Sequence, residues 1–143
     1  MKVLAVSISE RKGIKKHPVE YIELIEDYGI DGDAHAGKWH RQVSLLGVES
    51  MEVMKEKLPE LSAGDFAENI LTEGIVLYKL PIGTILKVGE CTLEVTQIGK
   101  ECHLGCEIRH IVGDCVMPRE GIFTKVIKGG KIKADDKIEI VEK

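Results

Sequence analysis

Only one stretch of this sequence carries a helical period, and that is the feature that most restricts its fold. Met51, Met54, Leu58 and Leu61 recur at steps of three and four, and Pro59 stops the run near its end. A helix is expected over Glu49 to Leu58, with the methionines packed into the core. Elsewhere the apolar residues come in short runs that suit strands: Lys2 to Ser9, Val19 to Ile25, Gln42 to Leu46, Thr84 to Val88, Cys91 to Ile98, Ile122 to Ile127 and Lys137 to Val141. Within Cys91 to Ile98, Leu93 and Val95 alternate with Thr92, Glu94 and Thr96, the mark of a half-buried strand. Gly89-Glu90 is a two-residue hairpin signal with glycine first, and Gly129-Gly130 marks a further turn. Gly29 to Asp33 is a turn-rich break whose loop runs on to His40, and Gly64 to Ile70 is a compact polar loop or short helical turn. These elements predict a mainly β fold, an antiparallel, barrel-like sheet with a few short helices.

A chain of 143 residues fits one domain, 1–143, large enough to bury roughly two thirds of its unfolded surface without staples. Aromatics are scarce, so the core is expected from Ile, Val and Leu. The net charge of −4 argues against long nucleic acid as a partner, which needs a basic footprint. Arg11-Lys12 with Lys15-Lys16 remains a small local basic patch. The opening Met1 to Ser7 lacks a signal-peptide pattern, and no run approaches the ~20 apolar residues of a membrane span. The expected compartment is the cytoplasm, where cysteines serve metal binding or thiol chemistry rather than structural disulfides.

Cys102, Cys106 and Cys115 fall close together with His103 and His110, after the strand that ends at Ile98. The Cys-x3-Cys and Cys-x8-Cys spacings lack the Cys-x2-Cys pair usual in zinc ribbons, and standard iron–sulfur spacing is missing. A structural zinc site using Cys102, Cys106, Cys115 and His110 is one reading, and a thiol redox cycle through a Cys102–Cys106 disulfide is another. Cys106 and Cys115 divide evenly between metal ligands and buried core thiols. Cys91, inside a strand, reads as buried and inert. Cys102 reads as the reactive thiol, because Lys100 and His103 beside it favour the thiolate.

Asp31, Asp33, His35 and His40 form a second cluster, readable as a divalent-cation site or, with more weight, as a tight turn in which Asp and Gly satisfy backbone groups. Trp39, the single tryptophan, suits a pocket wall. Arg41, Arg109 and Arg119 are planar, forked cations suited to phosphate or carboxylate. Glu68-Asn69 reads either as a pair that recognises polar ring edges or as an anchor for its own loop.

Several of these segments together resemble the MOSC domain family, named for the C-terminal region of molybdenum-cofactor sulfurases. Gly32-Asp33-Ala34-His35-Ala36-Gly37 and Arg41-Gln42-Val43-Ser44-Leu45-Leu46 are similar to its opening motifs. Gly64-Asp65-Phe66-Ala67-Glu68-Asn69-Ile70 and Leu80-Pro81-Ile82-Gly83-Thr84 are similar to its middle. Val95 to His103 resembles the segment that carries its characteristic cysteine, which falls on Cys102. Many relatives carry a Pro-Arg-x-Pro-Cys pattern there, and this chain has Ile98-Gly99-Lys100-Glu101-Cys102 instead.

The resemblance implies a β-rich, barrel-like domain of the short stand-alone kind, or of the kind fused to molybdopterin-biosynthesis domains. It implies a pocket that binds the molybdenum cofactor (molybdopterin) or relays sulfur to it through the Cys102 thiolate, which is also the implied ligand to molybdenum. Asp33, His35, Arg41, Glu68, Asn69, Lys100, His103 and Arg119 are the implied cofactor-binding residues, with Asp33, His35, Arg41, Glu68, Asn69 and Cys102 around one cleft. The implied role is a carrier or accessory protein, with or without weak oxo-transfer activity of its own. Its partners would be the cofactor, the enzymes that make it, or a molybdoenzyme. The aminotransferase-like domain of the sulfurases and the N-terminal β-barrel domain of amidoxime-reducing enzymes are not in this sequence. A complete sulfurase and pyridoxal phosphate are therefore not expected.

Overall fold

Strands dominate the computed structural model, which describes residues 1–9, 16–34, 36–39, 41–55, 63, 64, 66, 68–99 and 121–142. In chain order they are β1 (Lys2–Ile8), β2 (His17–Val19), β3 (Tyr21–Ile25), β4 (Gly29–Ile30), β5 (Val43–Gly47), β6 (Ile70–Glu73), β7 (Ile85–Val88), β8 (Cys91–Ile98), β9 (Ile122–Lys128), β10 (Gly130–Lys133) and β11 (Ile138–Glu142). Helix α1 (Val48–Lys55) follows β5, and a single 3₁₀ turn covers Leu77–Lys79. The larger sheet has the order β11-β7-β8-β9-β5-β6-β1-β2, and the smaller has β10-β3-β4. The larger sheet curls back on itself. Val3 N donates to Asp136 O at 2.8 Å, Asp135 N to Val3 O at 2.7 Å and Ile138 N to Met1 O at 3.1 Å. One isolated bridge, Lys2 to Lys137, joins the two ends in place of a full ladder. Among the described residues the sheet is thus barrel-like without being a closed barrel.

The expected all-antiparallel pairing needs one correction: β5 and β6 run parallel, with Leu45 opposite Ile70 and Leu46 opposite Leu71. Parallel neighbours require a crossover of about a dozen residues or more, and the connection that contains α1 supplies it. Sequence reading placed Ile70 at the end of a loop and missed β6, whose four residues give too short a pattern to show a period. Val19 to Ile25 is also two strands rather than one. The chain bends at Glu20, so that β2 pairs with β1 while β3 pairs with β4 and β10. The turn-rich break at Gly29 holds a two-residue strand, β4, against Leu24 and Ile25.

The hairpin between β7 and β8 forms as its sequence predicts, with Val88 opposite Cys91. Gly89 has a φ of 56°, the positive value required at the first position of a tight hairpin turn. Helix α1 covers the start of the expected helix and buries Met51; residues 56–58 of that expectation lie outside the described residues. The core is aliphatic, as composition requires: Val3, Ile30, Leu45, Ile70, Leu93 and Ile122 are fully buried. No helix among the described residues is long and apolar enough to cross a membrane.

Candidate functional site

A row of polar residues, interrupted by Phe123, crosses the aliphatic sheet. Gln97 on β8 lies opposite Phe123 on β9, and Phe123 lies opposite Ser44 on β5. Ser44 meets Asn69, just before β6, and Asn69 meets Ser7 on β1. Asn69 clips three strands together. Its Oδ1 accepts from Ser44 N at 3.0 Å and Ser44 Oγ at 3.1 Å, while its Nδ2 donates to Ser7 O at 3.1 Å. Its own N–H reaches Ser44 Oγ at 3.0 Å. Each of these groups is buried, and each unsatisfied member would cost about 1–3 kcal/mol. Asn69 therefore fixes where the loops on either side of it leave the sheet.

Those loops are closed by charge. Lys16 Nζ lies 2.7 Å from Asp33 Oδ1, and neither side chain has any exposed surface. The same carboxylate oxygen accepts from Ser9 N at 3.1 Å, and Lys16 Nζ reaches Ser9 Oγ at 3.3 Å. One ion pair thus ties the end of β1 to the approach to β2 and to the turn after β4. Glu68 acts in the same manner on its own loop, accepting from Gly64 N at 2.8 Å and Phe66 N at 3.2 Å. Gly64 O in turn accepts from Lys16 N at 2.9 Å. Gly64 has a φ of 90°, and a Cβ there would collide with the Lys16 carbonyl, so only glycine fits. Asp33, Glu68 and Asn69 are linked by these bonds into one buried assembly, from which little of their own surface emerges.

Arg41 is built differently. It is half-buried, its guanidinium lies 5.3 Å from the Phe123 ring centroid and 6.0 Å from that of Trp39, and its Nε donates to Gln97 Oε1 at 3.0 Å. Gln97 Nε2 continues to Gly99 O at 2.6 Å, and Gly99 N donates to Gly121 O at 2.7 Å. The chain departs after Gly99 and returns at Gly121, so Arg41 is tied to the root of the segment that carries Cys102. The remaining guanidinium nitrogens make no hydrogen bond to the described residues.

His35, His40, Lys100, Cys102, His103, Cys106, Arg109, His110, Cys115 and Arg119 lie outside the described residues. Of the proposed divalent-cation cluster, Asp33 is engaged by an ammonium and Asp31 is exposed. No group of three metal-ligating side chains occurs among the described residues. Cys91 is buried, and desolvation, assisted by Glu90 and Asp136 and opposed by Lys128, pushes its thiol up to about 12. Its burial agrees with its place in the strand. Sequence reading missed Lys16, Ser9, Ser44 and Gln97. Ser44 carried a signal, a polar residue inside an apolar strand; Lys16 stood in a basic cluster that read as surface.

A family model described as the MOSC domain matches residues 32–139. Among solved structures, the chain is similar to the YuaD protein of Bacillus subtilis, with a TM-score of 0.78 at 19% identity, over 96% of this chain and 93% of that one. It is also similar to YiiM from Geobacillus stearothermophilus, with a TM-score of 0.76 at 18% identity, over 99% and 75% of the two chains. A third match, a crystal structure described as a hypothetical protein, has a TM-score of 0.75 at 24% identity, over 100% and 70%. No curated protein matches. At these identities the structural likenesses establish the fold.

Proposed function

The chain belongs to the MOSC domain family, and we propose that it binds the molybdenum cofactor, or relays sulfur to it, through the Cys102 thiolate. The observation that carries this reading is the placement of Arg41. Its fork-shaped cation is held beside two aromatic rings with its outer nitrogens unengaged by the described residues. That donor set fits an anionic group such as the phosphate of a pterin cofactor. Gly99 lies two residues after the Gln97 that holds Arg41, and Cys102 follows three residues later, so chain length keeps its Cα within ~11 Å of the Gly99 Cα.

In this reading the labour divides. Arg41, Cys102, His35, Lys100, His103 and Arg119 make the direct contacts. Asp33, Glu68 and Asn69 contribute by holding the surrounding loops, since their polar atoms are engaged inside the protein. A cysteine thiolate is a soft ligand for molybdenum and a nucleophile toward a persulfide, and in the second role it takes the outer sulfur as the donor's thiolate leaves. The setting would be the cytoplasm, with cofactor-synthesising enzymes or a molybdoenzyme as partners, and residues 1–143 as one domain.

Expression in a host that makes the molybdenum cofactor, followed by metal and pterin analysis, tests the proposal. Molybdenum with pterin, or an alkylatable persulfide on Cys102, is the expected result, and Cys102→Ser removes it. Stoichiometric zinc without molybdenum, pterin or persulfide would instead favour a structural site at Cys102, Cys106, Cys115 and His110.

A further inference from the structure

We propose that Gln97 is a positioning residue, which orients the Arg41 guanidinium toward the anionic group of the ligand. The inference rests on the anion-binding role given to Arg41 above. Gln97 sits where the β8–β9 ladder changes register, between Val95 and Gln97. Such irregularities re-aim a side chain out of the regular alternation. Here the side chain reaches along the sheet to Arg41 Nε at one end and to Gly99 O at the other.

Hydrogen-bond logic fixes the amide. A guanidinium only donates and a peptide carbonyl only accepts. The residue between them must therefore present an acceptor to Arg41 and a donor to Gly99. Among side chains of this length, only glutamine does both while remaining uncharged. Glutamate would accept from Arg41 but set a second oxygen against the Gly99 carbonyl, and its charge would neutralise the cation. Methionine would fill the space and hold neither partner.

The consequence is an arginine ordered before any ligand arrives. The amide takes Nε, and the Phe123 and Trp39 rings flank the guanidinium at 5.3 Å and 6.0 Å. With Nε engaged, the two outer nitrogens are left for the bidentate pairing that guanidinium makes with two oxygens of a phosphate or carboxylate. A side chain already held loses less freedom on binding, and affinity rises accordingly. The same amide ties Arg41 to Gly99, so one side chain joins the anion site to the root of the Cys102 segment.

Trp39 is the chain's only tryptophan and lies beside Arg41, so its fluorescence reports on the site. The experiment titrates the full chain with inorganic phosphate and follows Trp39 emission at pH 7, alongside thermal midpoints. The wild type is expected to show a saturable change that Arg41→Ala abolishes. Gln97→Met is expected to weaken phosphate about tenfold, with the thermal midpoint lowered only by the few degrees that its two lost hydrogen bonds cost. Gln97→Glu should weaken it comparably at pH 7. The Arg41 cation beside it holds the introduced carboxyl in its charged form well below the ordinary carboxylate range, so the deficit is expected to persist as the pH is lowered toward 4.

Wild-type affinity in Gln97→Met overturns the positioning role. So does a Trp39 emission spectrum of ligand-free Gln97→Met identical to the wild type's, because an Arg41 released from Gln97 shifts against the Trp39 ring, whereas a residue that merely fills space leaves it in place. Wild-type affinity in Arg41→Ala, or no response from the wild type, overturns the anion-binding reading of Arg41 and the inference with it.

Discussion

Asp33→Asn is the perturbation that asks most of this structure. The substitution keeps the side chain's size and removes its charge, leaving the Lys16 ammonium facing a neutral amide with no exposed surface on either side chain. Removing one partner of a buried pair costs about 3–5 kcal/mol, because the surviving charge stays desolvated. Domains of this size are held by only about 5–15 kcal/mol in total. The natural control is on the same molecule. Lys2 and Asp135 approach to 3.7 Å, but their side chains are 45% and 82% exposed, and such pairs contribute about 0–1 kcal/mol. Urea unfolding of wild type, Asp33→Asn, Lys16→Met, Lys16→Met/Asp33→Leu and Lys2→Met completes the comparison. The expected order is a large loss for each buried single variant, partial recovery in Lys16→Met/Asp33→Leu, and almost no change for Lys2→Met. A loss below about 1 kcal/mol for Asp33→Asn would refute the reasoning, since the pair would then behave as a solvated one.

Two further outcomes follow from the same geometry. The Cys91 thiol is raised from an ordinary 9.0 to about 12, so between those pH values the unfolded chain sheds a proton that the folded chain keeps. Stability therefore falls as pH rises from about 9, by a ceiling of about 4 kcal/mol by pH 12. Cys91→Ala should flatten the alkaline limb of urea midpoints measured from pH 8 to 11, and parallel limbs would count against the burial argument. Gly64→Ala places a Cβ against the Lys16 carbonyl at a φ of 90°. It should cost more than about 1 kcal/mol in chemical denaturation, whereas a neutral result would mean the loop has room to shift.

The sequence disclosed what short-range pattern can disclose. The Cys91–Ile98 strand, the Gly89-Glu90 hairpin and the Met51 helix face were legible because alternation, turn chemistry and helical spacing are local signals. The parallel pairing of β5 with β6 was not, because β6 is four residues long and its partner is chosen across a crossover rather than by its own period. The break at Glu20 was hidden for a similar reason: Val19 runs on into Tyr21–Ile25 without a turn signal, and the second sheet is what separates them. Lys16 was the least legible of the site residues. Nothing local distinguishes a lysine that will be buried against Asp33 from the basic neighbours beside it in the sequence.

The harder lesson concerns residue type. Asp33, Glu68 and Asn69 are the kinds of side chain that recognise a polar ligand, and family motifs bring them forward for that reason. Here each binds a backbone N–H: Asp33 that of Ser9, Glu68 those of Gly64 and Phe66, Asn69 that of Ser44. A buried side chain that closes loops must affect ligand and fold together, because the loop moves when the bond is lost. A half-buried side chain with engaged Nε and outer nitrogens unengaged by the described residues, as at Arg41, need not. Binding and stability should therefore fall together at Asp33, Glu68 and Asn69 and separate at Arg41. If Asp33→Asn lost ligand affinity with its unfolding free energy intact, Asp33 would belong among the contacts, and the buried Lys16 pair would be only its support.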